Sequence, residues 1–143
     1  MIYGISILII LIISSIGDIR KQEINIWEIL ACLAVSIIRI VAECLTGSFD
    51  MAEIIVCLLP GAFLISMGLL TRQSVGFGDG LLALSAAPAL GASATCIGLL
   101  AAIFICGLAS ALLLVIKRVG KNFRIPFVPF MTLGMGVAMF AAL

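Results

Sequence analysis

The sequence predicts an all-α membrane protein: a polytopic bundle of six transmembrane helices that forms a single domain over residues 1–143. Three observations lead to this fold class. Hydrophobic residues make up 64% of the chain and charged residues only 10%, whereas a soluble domain carries about 25% charged residues. The apolar residues fall into six runs, most of them close to the roughly 20 residues that a helix needs to cross the hydrocarbon core. Basic residues are confined almost entirely to alternate loops between these runs.

The predicted spans follow one another with short polar breaks. The first run is short unless its helix continues past Asp18, and the fourth run is also short. A single helix over residues 81–116 would be about twice the length that a bilayer requires. A tight turn near Gly91 is therefore predicted to separate the fourth span from the fifth. The predicted boundaries are 2–16, 26–45, 52–70, 80–94, 95–116 and 125–143.

The distribution of lysine and arginine predicts how the bundle is oriented. Seven of the eight basic residues fall in loops on one side, and only Arg39 lies inside a predicted span. Basic loops are retained in the cytoplasm, so both termini are predicted to lie outside. Asp18 ends the first span and Asp79 begins the fourth, which places both aspartates on the cytoplasmic side.

The stretch Gly76-Phe77-Gly78-Asp79 is the strongest indication of chemistry. A carboxylate in or beside hydrocarbon is costly, so it is by default a functional hypothesis. The glycines permit backbone conformations that other residues resist. Asp18 also follows a glycine, and its position on the same side as Asp79 predicts a shared two-aspartate site. Two simpler alternatives stay open: Asp79 as a helix N-cap, and Asp18 as a boundary residue paired with a neighbouring basic side chain.

Composition excludes several classes of function. The chain has no histidine, which removes Ser-His-Asp and Cys-His catalysis and His-ligated zinc or haem. The net charge is +1, and no basic or aromatic-rich patch indicates nucleic acid as a partner. The five cysteines have no C-x-x-C spacing and are interpreted as buried apolar thiols. No metal and no cofactor are predicted.

Two further features have structural and functional interpretations. Arg39 and Glu43 are spaced i, i+4 in the second span and are predicted to form a structural pair, with an ion or proton path as the alternative. The sixth span opens with two prolines and two phenylalanines. Proline is tolerated in the first turn of a helix, so a rigid helix start explains the segment. Alternatively its residues wall the aspartate site: Pro126, Phe127 and Pro129.

Together these residues resemble the type IV prepilin peptidases, which belong with presenilin-like enzymes among the GxGD-type intramembrane aspartyl proteases. The resemblance depends on Asp18 after the first helix, on the segment Gly76-Phe77-Gly78-Asp79, and on Pro126-Phe127-x-Pro129-Phe130 in the last helix. The chain departs from many members in two places. Ile24 is followed directly by asparagine rather than by Pro-Asn, and Leu81 stands where many have lysine. These departures affect which subfamily the chain resembles and not the chemistry that the resemblance implies, because both aspartates are present.

The resemblance implies an aspartic-type endopeptidase in a prokaryotic cell membrane, with Asp18 and Asp79 as the catalytic pair. The substrate would be the leader of a prepilin or pseudopilin, cleaved at the cytoplasmic face in type IV pilus assembly or protein secretion. The lipid bilayer would be the other partner. Larger members add an N-methyltransferase region with paired C-x-x-C motifs, and this sequence has none, which implies a short, peptidase-only form. The alternative function is a small ion- or proton-coupled transporter or channel subunit that uses intramembrane carboxylates.

Helix dipoles give an expectation for the roles of the two acids. Asp79 precedes the fourth helix, where the positive end of the dipole favours a carboxylate, and Asp18 follows the first helix, where the negative end disfavours one. Asp79 is therefore predicted to be the ionised general base and Asp18 the protonated general acid. The basic side chains of Arg20 and Lys21 oppose this assignment.

Overall fold

The computed structural model describes residues 2–21, 24–70, 77–116 and 126–141, and within these ranges the chain forms six α-helices and no strand. Four helices of this described part are long and apolar enough to cross a membrane, and the other two are shorter apolar helices. The predicted all-helical fold with six helices is confirmed, and the crossing of a bilayer stays a prediction. The helices are α1 (Ile2–Lys21), α2 (Ile26–Thr46), α3 (Met51–Leu70), α4 (Phe77–Leu90), α5 (Ala92–Val115) and α6 (Val128–Ala141).

Several helix boundaries differ from the predicted ones. α1 continues past Asp18 and ends at Lys21. α4 begins three residues and ends four residues earlier than predicted, which puts Asp79 in its first turn. The turn near Gly91 is confirmed: this glycine has φ +90°, and its N–H donates to the Ala87 carbonyl at 3.1 Å. Positive φ favours glycine, so α4 ends there and the next three residues join α5.

α4 is the central helix of the bundle and contacts α1, α2, α3 and α5. Small side chains let its neighbours approach from several sides at once. Large apolar side chains cover the outside of the bundle instead, for example Trp27 at 76% exposure and Phe104 at 70%. Four residues of α4 are completely buried: Leu82, Ala83, Ala86 and Ala87.

Two glycines bring α3 and α4 into backbone contact. A Cβ added to Gly61 of α3 would lie 2.9 Å from the Leu84 Cα, and one added to Gly80 of α4 would lie 3.1 Å from the Ile65 N. Real Cβ atoms rarely or never approach other atoms this closely, and these two are main-chain atoms, which cannot rotate away. The position of α4 therefore depends on glycine at this crossing.

Polar side chains from α2 hold the second half of α4. The Ser36 hydroxyl donates to the Ser85 carbonyl at 2.6 Å. Arg39 donates through Nη1 to the Pro88 carbonyl at 2.6 Å and through Nε to Glu43 at 2.6 Å. The predicted i, i+4 pair is thus confirmed, and it extends to a second acid, because Arg39 Nη2 lies 3.6 Å from an oxygen of Glu53. We call this end of the bundle the Arg39 end.

Candidate active site

Asp18 and Asp79 are buried near each other at the end of the bundle opposite the Arg39 end. Asp18 lies in the last turn of α1 and is 6% exposed, and Asp79 lies in the first turn of α4 and is 8% exposed. The two carboxyl groups are close enough for the charge of Asp18 to act on Asp79. We call the end that holds them the aspartate end. Here the last turn of α1 meets the first turns of α4 and α6.

The Asp18 carboxylate accepts a hydrogen bond from the first backbone N–H of α6. The Val128 N–H donates to Asp18 Oδ2 at 3.1 Å, and the Phe127 N–H also interacts with this carboxyl. N–H groups in the first turn of a helix have no partner inside the helix. Asp18 therefore lies at the negative end of α1 but also at the positive end of α6.

Asp79 has a different environment from Asp18. Within the part of the chain that the structure describes, its carboxyl accepts and donates no hydrogen bond. Because α4 begins at Phe77, Asp79 is the third residue of the helix, which argues against the N-cap alternative. The boundary-pair alternative for Asp18 also lacks support, since Arg20 is exposed and forms no ion pair among the described side chains. The side chain of Lys21 lies outside the description.

The glycine motif is described only in part, because Gly76 lies outside the described residues. Phe77 is 39% exposed at the start of α4. A Cβ added to Gly78 would lie 3.2 Å from the Ile24 Cδ1. Glycine at this position lets the start of α4 lie against Ile24, just before α2.

The proline-rich segment lies at the aspartate end. Pro126 and Phe127 precede α6 and are half-buried, as is Pro129 in its first turn. Phe127 packs against the core, and Val128 is completely buried. The hydrogen bond to the site comes from the backbone of the segment at Val128, a contact that the sequence argument did not foresee.

Glu28 is a third carboxylate near the site, and it was not among the predicted site residues. It lies in the first turn of α2, is half-buried, and its charge acts on Asp18. Its Oε1 lies 3.8 Å from the position of a Cβ added to Gly17. No local motif marks Glu28, so only the packing of α2 against α1 reveals its position.

The titratable groups buried at this end, among the described residues, are the carboxyls of Asp18 and Asp79. No cluster of three or more histidine, cysteine or acidic side chains suited to a metal ion occurs among the described residues. The five cysteines are free thiols in α2, α3 and α5; only Cys32 and Cys57 are buried, so the predicted burial is wrong for the other three. What the described site offers is a buried pair of acids, one with a backbone donor and one without.

The fold and the candidate site together define an apolar bundle of helices with two aspartates buried at one end. A family model for the type IV leader peptidase family matches residues 5–111, about three quarters of the chain. The chain belongs to the type IV leader peptidase family. Both aspartates lie inside the matched segment and α6 lies outside it. No curated protein and no solved structure gives a significant match.

Proposed function

We propose that the protein is an intramembrane aspartyl endopeptidase that cleaves the leader of a prepilin or pseudopilin at the cytoplasmic face of a prokaryotic cell membrane. The observation that carries the proposal is the convergence of Asp18 and Asp79. These acids lie far apart in the sequence, yet both are buried at one end of an apolar bundle. Membership of the leader peptidase family supports the choice of peptide bond as substrate.

The proposed chemistry uses one water molecule and the two carboxyls. The ionised carboxylate takes a proton from the water as the water oxygen attacks the carbonyl carbon of the scissile peptide bond. The protonated carboxyl donates a hydrogen bond to the developing oxyanion and then gives its proton to the leaving amine nitrogen as the C–N bond breaks. Like charges in close proximity do not both ionise easily, so the pair shares one proton and titrates as a unit.

We assign Asp18 as the general base and Asp79 as the general acid, the reverse of the order that the dipoles of α1 and α4 predict. The sequence-based prediction considered only the dipoles of α1 and α4. In the structure, the first N–H of α6 also donates to Asp18. A hydrogen bond to an ionised acceptor is about twice as strong as one between neutral groups. The Val128 N–H therefore supports a negative charge on Asp18, and Asp79 has no such donor among the described residues.

The surface of the aspartate end suits a substrate with an apolar helix. Ile26 and Trp27 at the start of α2 are 71% and 76% exposed, and Phe77 beside Asp79 is 39% exposed. Such a surface favours contact with lipid or with an apolar helix that lies in lipid. A leader peptide that continues into a hydrophobic helix would present the end of that helix to the two acids.

The transporter alternative draws less support from the structure. It requires Asp18, Asp79, Arg39 and Glu43 to mark one path. Arg39 and Glu43 are bound to each other at the opposite end of the bundle, and Arg39 is also bound to the Pro88 carbonyl. An ion pair that also binds a backbone carbonyl at a helix end is explained by its contribution to stability, and no ion path is needed to account for it.

A cleavage assay with purified protein tests the proposal. The substrate is a fluorogenic peptide with a basic leader that ends in glycine, followed by a hydrophobic segment. We expect the wild-type protein to cleave it, and Asp18→Asn and Asp79→Asn each to lower kcat by about 10²–10⁴-fold. Asp50→Asn is the matched control, because Asp50 is exposed in the loop before α3. Wild-type cleavage rates in either folded aspartate variant would overturn the proposal.

A further inference from the structure

Ser14 is the one buried hydroxyl among the described residues without a hydrogen-bond partner. Ser14 is 1% exposed, and its Oγ has no hydrogen-bond partner among the described residues. The other buried hydroxyls, those of Ser36, Ser85 and Thr95, each donate to a backbone carbonyl. An unpaired buried hydroxyl is unfavourable. A native structure that retains one calls for an explanation, and a bound water is one such explanation.

The place of Ser14 in α1 connects it to the active site. Ser14 precedes Asp18 by one helical turn on the same buried face, and the Cβ atoms of residues four apart on a helix lie about 5–6 Å from each other. One water molecule spans that separation. The first turns of α6 cover the same face of α1, since the Val128 N–H donates to Asp18 and the Thr132 hydroxyl donates to the Leu11 carbonyl at 3.2 Å.

We propose that Ser14 holds a water molecule that bridges its hydroxyl to the Asp18 carboxyl, which makes Ser14 a positioning residue of the active site. The Ser14 hydroxyl donates to the water, and the water donates to Asp18 Oδ1, the oxygen that Val128 does not bind. A buried water requires two to four polar partners, and these two groups supply the minimum. The water and the Val128 N–H then each donate a hydrogen bond to one oxygen of the Asp18 carboxyl. Together they fix the orientation of this carboxyl relative to Asp79. This role rests on the proposed peptidase function.

The water bridge has a readout that needs no catalysis. The carboxyl infrared bands of Asp18 are identified by their loss in Asp18→Asn. Glu28 of α2 carries a charge that acts on Asp18, Asp79 of α4 lies within reach of the Asp18 charge, and both residues stay unchanged in the variants compared. We expect the Asp18 bands to shift in Ser14→Val but not in Ser14→Thr. These two variants have nearly equal volume, and only threonine keeps the hydroxyl.

The kinetic readout tests the positioning role. We expect Ser14→Val and Ser14→Ala to lower kcat by roughly 10- to 100-fold with KM unchanged, because a misplaced catalytic group slows the chemical step, and Ser14→Thr to restore most of kcat. Ser36→Ala is the control: it loses a buried hydrogen bond to the Ser85 carbonyl, and Ser36 is not in contact with Asp18 or Asp79 through any hydrogen bond of the described residues, so it should lower Tm and leave kcat unchanged.

Opposite outcomes would overturn the proposal. If the hydroxyl is only an unpaired polar group, Ser14→Ala should melt at or above the wild-type Tm with full kcat, and the Asp18 bands should be the same in Ser14→Thr and Ser14→Val. A wild-type protein that cleaves no leader peptide would instead remove the peptidase function. The infrared comparison would still decide the bridge in that case, so the two failures are distinguishable.

Discussion

Gly61→Ala is expected to push α3 away from α4 and so to displace the helix that carries Asp79. The added Cβ would lie 2.9 Å from the Leu84 Cα and 3.0 Å from the Leu84 N. Both are backbone atoms of α4, so no rotation of a side chain relieves the contact. One of the two helices must shift, and α4 is in contact with three other helices.

The magnitude follows from two opposing contributions. Overpacking of a well-packed interface lowers the free energy of unfolding by about 1–3 kcal/mol. Replacing glycine by alanine inside a helix raises the free energy of unfolding by about 1 kcal/mol. Gly107→Ala in α5 gains the second contribution without the first, because nothing lies within 4 Å of the position of its added Cβ. The difference between the two variants should therefore be the full packing term of about 1–3 kcal/mol.

The assay is thermal unfolding of both variants in one detergent, together with their cleavage rates. Gly61→Ala should melt below Gly107→Ala and cleave more slowly, whereas Gly107→Ala should cleave at the wild-type rate. If Gly61→Ala is as stable and as active as Gly107→Ala, then α3 and α4 do not cross at backbone contact and the packing argument for α4 is refuted.

Three further predictions concern the rest of the bundle. Arg39→Gln should lower the free energy of unfolding by about 1.5–3 kcal/mol, because its bonds to Glu43 and to the Pro88 carbonyl are lost; unchanged stability in denaturant titrations would contradict this. Thr95→Val keeps the shape and deletes the bond to the Ala87 carbonyl at 3.2 Å, so Tm should fall by the equivalent of about 0.6–1.7 kcal/mol. In a cysteine-free background, a membrane-impermeant thiol reagent should label a cysteine at position 48 from outside and one at position 121 only from the cytoplasm; the reverse labelling would invert the predicted topology.

Much of the helical framework follows from the sequence alone. α2 and α3 were predicted to within a residue at each end, because each is a long, mostly apolar run bounded by polar loop residues. The boundaries of α4 were less accurate. The sequence predicted a turn near Gly91, but small and apolar residues lie on both sides of it, so only the backbone geometry shows that α4 ends at Leu90 and α5 begins at Ala92.

The two acids of the candidate site could be predicted from the sequence, but the groups that surround them could not. Asp18 and Asp79 stand out because carboxylates are rare in an apolar chain, and the loop charges place them on one side. The bond from Val128 joins residues 110 positions apart, and no local pattern encodes it. The burial of Ser14 and the approach of Glu28 likewise depend on how α2 and α6 pack against α1.

The most direct test of the central claim is a double-mutant cycle on the two aspartates, measured as kcat for leader-peptide cleavage. Residues that act as a unit are strongly non-additive. If Asp18 and Asp79 form one catalytic pair, the Asp18→Asn/Asp79→Asn double variant should be no slower than the slower single variant. Losses that multiply, or wild-type kcat in either single variant, would contradict a shared site.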